Sequence, residues 1–151
     1  MAHHHGSQPE LEFFRPAADA PSRPLPLATE RVEAGFPSPA RDYVEPPLDL
    51  NDLCVRHPAA TYFVRVQGDS MIDGHICPED ILVVDRSLKP CHGDIVIACF
   101  DGDLTVKRLE TRPELRLVPM NPNYQPLVPA EGCDMEIFGV VTTVIHQLRK
   151  A

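Results

Sequence analysis

Gly68-Asp69-Ser70-Met71 follows directly on the apolar, β-branched run from Tyr62 to Val66. A serine there is displayed at a strand end beside backbone N–H groups, which is what a nucleophile needs. The same place also suits an ordinary turn serine whose hydroxyl bonds the local backbone. The catalytic reading requires a base. His57, His75, His92 and His146 are all open by spacing to a histidine held by a carboxylate. Lys107 is the other candidate. In Leu104-Thr105-Val106-Lys107-Arg108-Leu109, strand alternation puts Thr105, Lys107 and Leu109 on one face and Arg108 on the other. If the Leu109 face is buried, desolvation disfavours the charged lysine, and a neutral amine can take a serine proton. If that face is solvated, Lys107 is a surface lysine and nothing more.

The elements that must position these residues are short. From Thr61 onward the chain runs through apolar and β-branched stretches at Tyr62 to Val66, Ile81 to Asp85, Ile95 to Phe100, Leu104 to Leu109, Leu115 to Val118 and Ile137 to Ile145. Asp101-Gly102-Asp103 between two of them is a hairpin signal, because Gly accepts the positive φ of a tight turn. The expectation is a mainly β domain over residues 60–151. Ahead of it, Asp49 is placed to cap a short helix that Pro58 follows, within a linker over residues 35–59. Nine of the seventeen prolines precede position 48. A stretch such as Pro21-Ser22-Arg23-Pro24-Leu25-Pro26 supports neither helix nor sheet, so residues 8–34 read as a flexible, extended arm.

Composition bounds the rest. With 151 residues and 43% hydrophobic content, one domain with a real core is expected. Met1-Ala2-His3-His4-His5-Gly6-Ser7 resembles a shortened affinity tag, so residues 1–7 are set aside and their histidines are left out of any metal argument. Cys54, Cys77, Cys91, Cys99 and Cys133 are odd in number, widely spaced and never in a C-x-x-C pair, which argues against a disulfide framework and against zinc. A net charge of -8 argues against strong direct binding of nucleic acid. No apolar run approaches the length of a membrane helix, and a soluble, cytoplasmic protein is expected.

Taken together, Gly68-Asp69-Ser70-Met71-Ile72-Asp73-Gly74, Ile81-Leu82-Val83-Val84-Asp85, His92-Gly93-Asp94-Ile95-Val96 and Thr105-Val106-Lys107 resemble the LexA-like family of self-cleaving serine-lysine proteases. Gly35-Phe36-Pro37-Ser38-Pro39-Ala40, Asp42-Tyr43-Val44-Glu45, Asp49-Leu50-Asn51, His57-Pro58, Ala60-Thr61-Tyr62-Phe63-Val64 and Pro119-Met120-Asn121 place the resemblance in its UmuD-like branch. The resemblance implies a LexA/UmuD-like catalytic β domain with a cleavable N-terminal arm, Ser70 as nucleophile and Lys107 as general base. It makes the Ala34-Gly35 peptide the substrate and calls for no cofactor or metal. It also implies a homodimer, stimulation by a RecA filament on single-stranded DNA, and a shortened product that serves a UmuC-like translesion DNA polymerase in the DNA-damage response.

Residue 34 is Ala, as in the repressor members, where the protein that gives the UmuD-like branch its name carries Cys, and the Pro-rich arm matches no family segment. A LexA-type repressor would need a helix-turn-helix before the cleavage site, which thirty-four Pro-rich residues cannot form. The other competing reading is a non-catalytic β module that binds a polymerase or filament.

Overall fold

The computed structural model describes residues 11–25 and 47–149. The tag-like residues 1–7 and the Ala34-Gly35 bond lie outside them, as does the linker before residue 47. Seven strands, β1 (Leu11–Phe14), β2 (Thr61–Val66), β3 (Ile81–Asp85), β4 (Ile95–Phe100), β5 (Asp103–Glu110), β6 (Arg116–Val118) and β7 (Met135–Ile145), form one sheet in the order β1-β2-β3-β7-β4-β5-β6. Every neighbouring pair is antiparallel. The protein is thus mainly β, and the runs read from sequence become β2 to β7 with ends moved by no more than two residues.

The longest strand, β7, is the centre of the sheet because both its edges are used, one by β3 and the other by β4. Its register shifts once against each. Val83 faces Thr143 while Val84 faces Val141, and Ile97 faces Gly139 while Ala98 faces Ile137. Thr142 and Phe138 are therefore bulged residues, and two bulges on one central strand curl the sheet. Gly139 allows the close approach there, since a Cβ on it would stand 2.7 Å from Val84 Cγ1.

Curling gives the sheet apolar clusters on both faces. Ile97 and Val106 pack in a cluster with Val64, Leu82, Val84 and Met71, whereas Val96, Ala98 and Leu109 pack in a second with Leu117 and Val140. Side chains alternate along a strand, so β4 and β5 are covered on both sides. The β4–β5 turn is the two-residue hairpin that Asp101-Gly102 signals. Phe100 pairs with Asp103, and both turn residues hold positive φ, 52° and 88°.

Residues 47–60 form a short helix, α1 (Leu50–Cys54), then a 3-10 turn at Pro58–Ala60. Asp49 caps the helix as expected, accepting from the Asn51 N–H at 2.8 Å. It does more than cap. Its second oxygen accepts from the Ser22 hydroxyl and from the Arg23 N–H. These bonds, with the Ser22 hydroxyl foremost, hold the Asp49 carboxyl below the usual carboxylate range.

The described part of the arm includes an extended strand and is tied to the rest of the chain by backbone hydrogen bonds. Leu25 and Leu48 exchange backbone hydrogen bonds, and Leu11–Phe14 pairs with β2 from Leu11↔Val66 to Phe14↔Phe63. The strand forms because Leu-Glu-Phe-Phe lies ahead of Pro16 and keeps its N–H groups, while Leu11 and Phe13 have apolar surface to cover. Among the described residues no helix is long and apolar enough to cross a membrane.

Candidate active site

β2 ends at Val66, and the chain turns at Gly68, whose φ of 91° is readily available to glycine alone. Asp69, Ser70 and Met71 follow, then a 3-10 turn at Ile72–Gly74. The loop is closed at its base, where Val66 donates to the Asp80 carbonyl and accepts from the Glu79 N–H. Met71, 1% exposed, drives its side chain into the apolar cluster and so fixes the backbone next to Ser70.

A second segment braces the loop. The Met120 N–H donates to the Ser70 carbonyl at 2.9 Å, and the Asp73 N–H donates to the Met120 carbonyl at 2.8 Å. Asn121 Nδ2 donates to the Asp69 carbonyl at 2.9 Å, and the Tyr124 hydroxyl donates to Asp69 Oδ1 at 2.6 Å. Neither spacing nor periodicity in the sequence marks Met120, Asn121 and Tyr124 as the brace of this loop. Asn121 is buried, and a buried amide between two prolines is the only sequence-level hint that its hydrogen bonds have work to do.

Lys107 comes from β5. Thr105, Lys107 and Leu109 are all buried on the face that alternation assigned to them, while Arg108 is half-buried and pairs with Glu110. Glu110 in turn is held below the usual carboxylate range, first by Arg116 and then by Arg108. Lys107 is 5% exposed and Ser70 is 7% exposed. Lys107 Nζ lies 3.1 Å from Ser70 Oγ, 2.6 Å from Thr105 Oγ1 and 3.1 Å from the Val106 carbonyl oxygen. No acceptor for the N–H groups of Ser70 and Met71 is found among the described residues.

The histidines are placed elsewhere. His57 Nδ1 lies 2.6 Å from Asp85 Oδ2, His92 Nδ1 accepts from the Thr111 N–H, and His146 Nδ1 bonds Asp80 Oδ1. His75 is exposed with φ of 63° at the end of the 3-10 turn. None of the four is hydrogen-bonded to Ser70 among the described residues. Burial raises the Asp85 pKa, but hydrogen bonds from Ser87 and His57 outweigh it and hold the carboxyl below the usual range.

A buried serine hydroxyl within hydrogen-bond reach of a buried lysine amine can support nucleophilic chemistry, because a neutral amine can take the hydroxyl proton. The comparisons give the class as a serine-type peptidase. The sequence matches the Peptidase S24-like family over residues 26–142. It is 52% identical to Protein SamA of Salmonella typhimurium (strain LT2) over 139 residues, 92% of this chain and 97% of that one. It is 53% identical to Protein ImpA of Escherichia coli over 127 residues, covering 83% and 86% of the two chains. Against Protein MucA of Escherichia coli it is 46% identical over 134 residues, 88% and 92% of the two. The chain belongs to the peptidase S24-like family of serine-type, self-cleaving peptidases. Within that family it stands in the UmuD-like group that acts in SOS mutagenesis.

Proposed function

We propose that Ser70 is the nucleophile and Lys107 the general base of a cut in the chain's own Ala34-Gly35 bond. The observation that carries this reading is the 3.1 Å approach of Lys107 Nζ to Ser70 Oγ in a buried setting. A neutral amine has two N–H donors and one lone pair. Thr105 Oγ1 and the Val106 carbonyl oxygen suit the two donors, which turns the lone pair toward the serine hydroxyl. Burial favours that uncharged form, because desolvation penalises an ammonium.

The steps follow from these positions. The Ser70 proton passes to Lys107 Nζ as Oγ bonds to the Ala34 carbonyl carbon, and the oxyanion faces backbone N–H groups beside Ser70. The tetrahedral adduct collapses, the C–N bond breaks, and the Gly35 amine leaves with the proton from Lys107. Water then gives a proton to Lys107 and attacks the Ser70 ester; the C–Oγ bond breaks, Lys107 returns the proton to Ser70 Oγ, and residues 1–34 part from residues 35–151.

The family resemblance supports a homodimer, stimulation by a RecA filament on single-stranded DNA, and a UmuC-like translesion DNA polymerase as partner of the shortened chain. Purified protein incubated at alkaline pH should yield two fragments by intact mass, and Ser70→Ala and Lys107→Met should each remain whole while circular dichroism shows an unchanged fold. Cleavage of Ser70→Ala at the parent rate would sink the assignment.

A further inference from the structure

Away from Ser70 and Lys107, the side chains of Cys77, Asp80 and His146 each offer a metal-ligating atom, and the three atoms lie within 4.8 Å of one another. Two of them come from one turn. The Asp80 N–H donates to the Cys77 carbonyl at 3.1 Å, and Asp80 Oδ2 accepts from the Cys77 N–H at 2.8 Å. Within the turn Glu79 holds φ of 74°, a left-handed conformation that non-glycine residues seldom adopt. The turn is thus held against local preference. A two-residue spacer in a tight turn brings a thiol and a second donor to one side, as in the knuckles that grip zinc. The third donor arrives from just beyond β7, where His146 Nδ1 bonds Asp80 Oδ1. The Asp80 carboxylate is 3% exposed and the His146 ring is 47% exposed, so the group has a buried wall and an open side.

We propose that Cys77, Asp80 and His146 form a three-ligand site for a divalent cation of the zinc class, with water as the fourth ligand. Thiolate, imidazole and carboxylate together are a borderline-soft donor set, which suits zinc and cobalt, whereas magnesium and calcium take oxygens. Binding requires the imidazole to exchange its bond with Asp80 for the ion, each light-atom donor settling about 2.0 to 2.2 Å from it. Cys77 must release its proton to solvent. The half-exposed ring has room to move. Cysteine spacing along the chain argued against zinc because it weighs neighbours in sequence, and this set is assembled by β3 and β7 lying side by side. The bound ion fastens the segment after β7 to the base of the loop that carries Ser70.

The test uses the full chain with Ser70→Ala, so that no cleavage occurs, and with His3, His4 and His5 replaced by Ala, so that the tag cannot compete. Cobalt(II) is titrated in a non-chelating reductant. One equivalent is expected to bind, with a thiolate-to-cobalt charge-transfer band and the visible bands of tetrahedral cobalt, both removed by zinc. Cys77→Ser should abolish the charge-transfer band, and His146→Gln should weaken binding by about tenfold or more. Zinc should raise the melting temperature of the parent and leave that of Cys77→Ser unmoved. A charge-transfer band that survives Cys77→Ser assigns the metal to another cysteine and overturns the proposal. So does an absence of cobalt binding up to about 1 mM. Neither result bears on Ser70 and Lys107, whose test is cleavage.

Discussion

Replacing Thr105 by Val tests how Lys107 is held, separately from whether it is present. Valine fits a strand at least as well as threonine, and Thr105 is buried on β5, so the substitution removes a hydroxyl while keeping the side chain's shape. What disappears is the 2.6 Å contact from Lys107 Nζ to Thr105 Oγ1. A hydrogen bond to a charged group contributes about 1.5 to 3 kcal/mol. The neutral amine loses a bond only about half as strong, so cleavage at the alkaline plateau slows by the difference of about 0.75 to 1.5 kcal/mol, or about 4- to 13-fold. The pH profile should move as well. A bond to the ammonium is roughly twice as strong as one to the neutral amine. Its loss therefore penalises the charged form by about 0.75 to 1.5 kcal/mol more, which lowers the Lys107 pKa by about half a unit to one unit. Single-turnover cleavage followed by intact mass from about pH 7 to pH 11 should show a lower plateau reached at lower pH. A Thr105→Val chain whose plateau rate equals the parent's, or one slowed with its midpoint unmoved, would refute this account of the amine.

Other outcomes follow from the same geometry. Gly35→Val should block cleavage by crowding the approach of backbone to Ser70, while the parent product should begin Gly35-Phe36-Pro37 by N-terminal sequencing; any other first residue moves the site. Gly139→Ala should cost about 1 to 3 kcal/mol in urea unfolding, because its new Cβ meets Val84 Cγ1 at 2.7 Å, and an unchanged midpoint would contradict the close approach. Asp85 is held below its ordinary 3.8, so its stabilisation is complete above that value and is lost as pH falls through the lower folded-state value. The stability gap between parent and Asp85→Asn should accordingly narrow below about pH 4, and a gap constant from pH 6 to pH 3 would tell against the hydrogen bonds drawn to Asp85.

The residues legible in the sequence were those governed by local rules. Alternation along Leu104–Leu109 was enough to place Lys107 on the Leu109 face, and Leu109 is indeed buried. Asp101-Gly102 specified its hairpin through the φ it demands. Contacts that depend on strand order were not legible. Nothing local says that β7 lies between β3 and β4, so neither the two bulges nor the meeting of His146 with Asp80 could be read beforehand. The brace from Met120, Asn121 and Tyr124 was hidden for the same reason, since it reaches a loop some fifty residues away in sequence. β1 escaped notice because four residues carry too little periodicity to separate a strand from a coil, and because the prolines after it dominate the composition of the arm.

β1 divides the proposed event into two clocks. Leu11–Phe14 precedes Ala34, yet it is tied to β2 by four paired residues and by the burial of Leu11. Severing the chain further along removes none of those bonds. It turns a tethered strand into a bound peptide, and the high effective concentration that the tether supplied is gone. Ser70 and Lys107 then set when the chain is cut, while the off-rate of a short peptide sets when the change is felt. Until the peptide leaves, β1 covers β2 in a cut molecule as it does in an intact one. Once it leaves, the outer backbone of β2 becomes a bare sheet edge, open to a strand from another molecule.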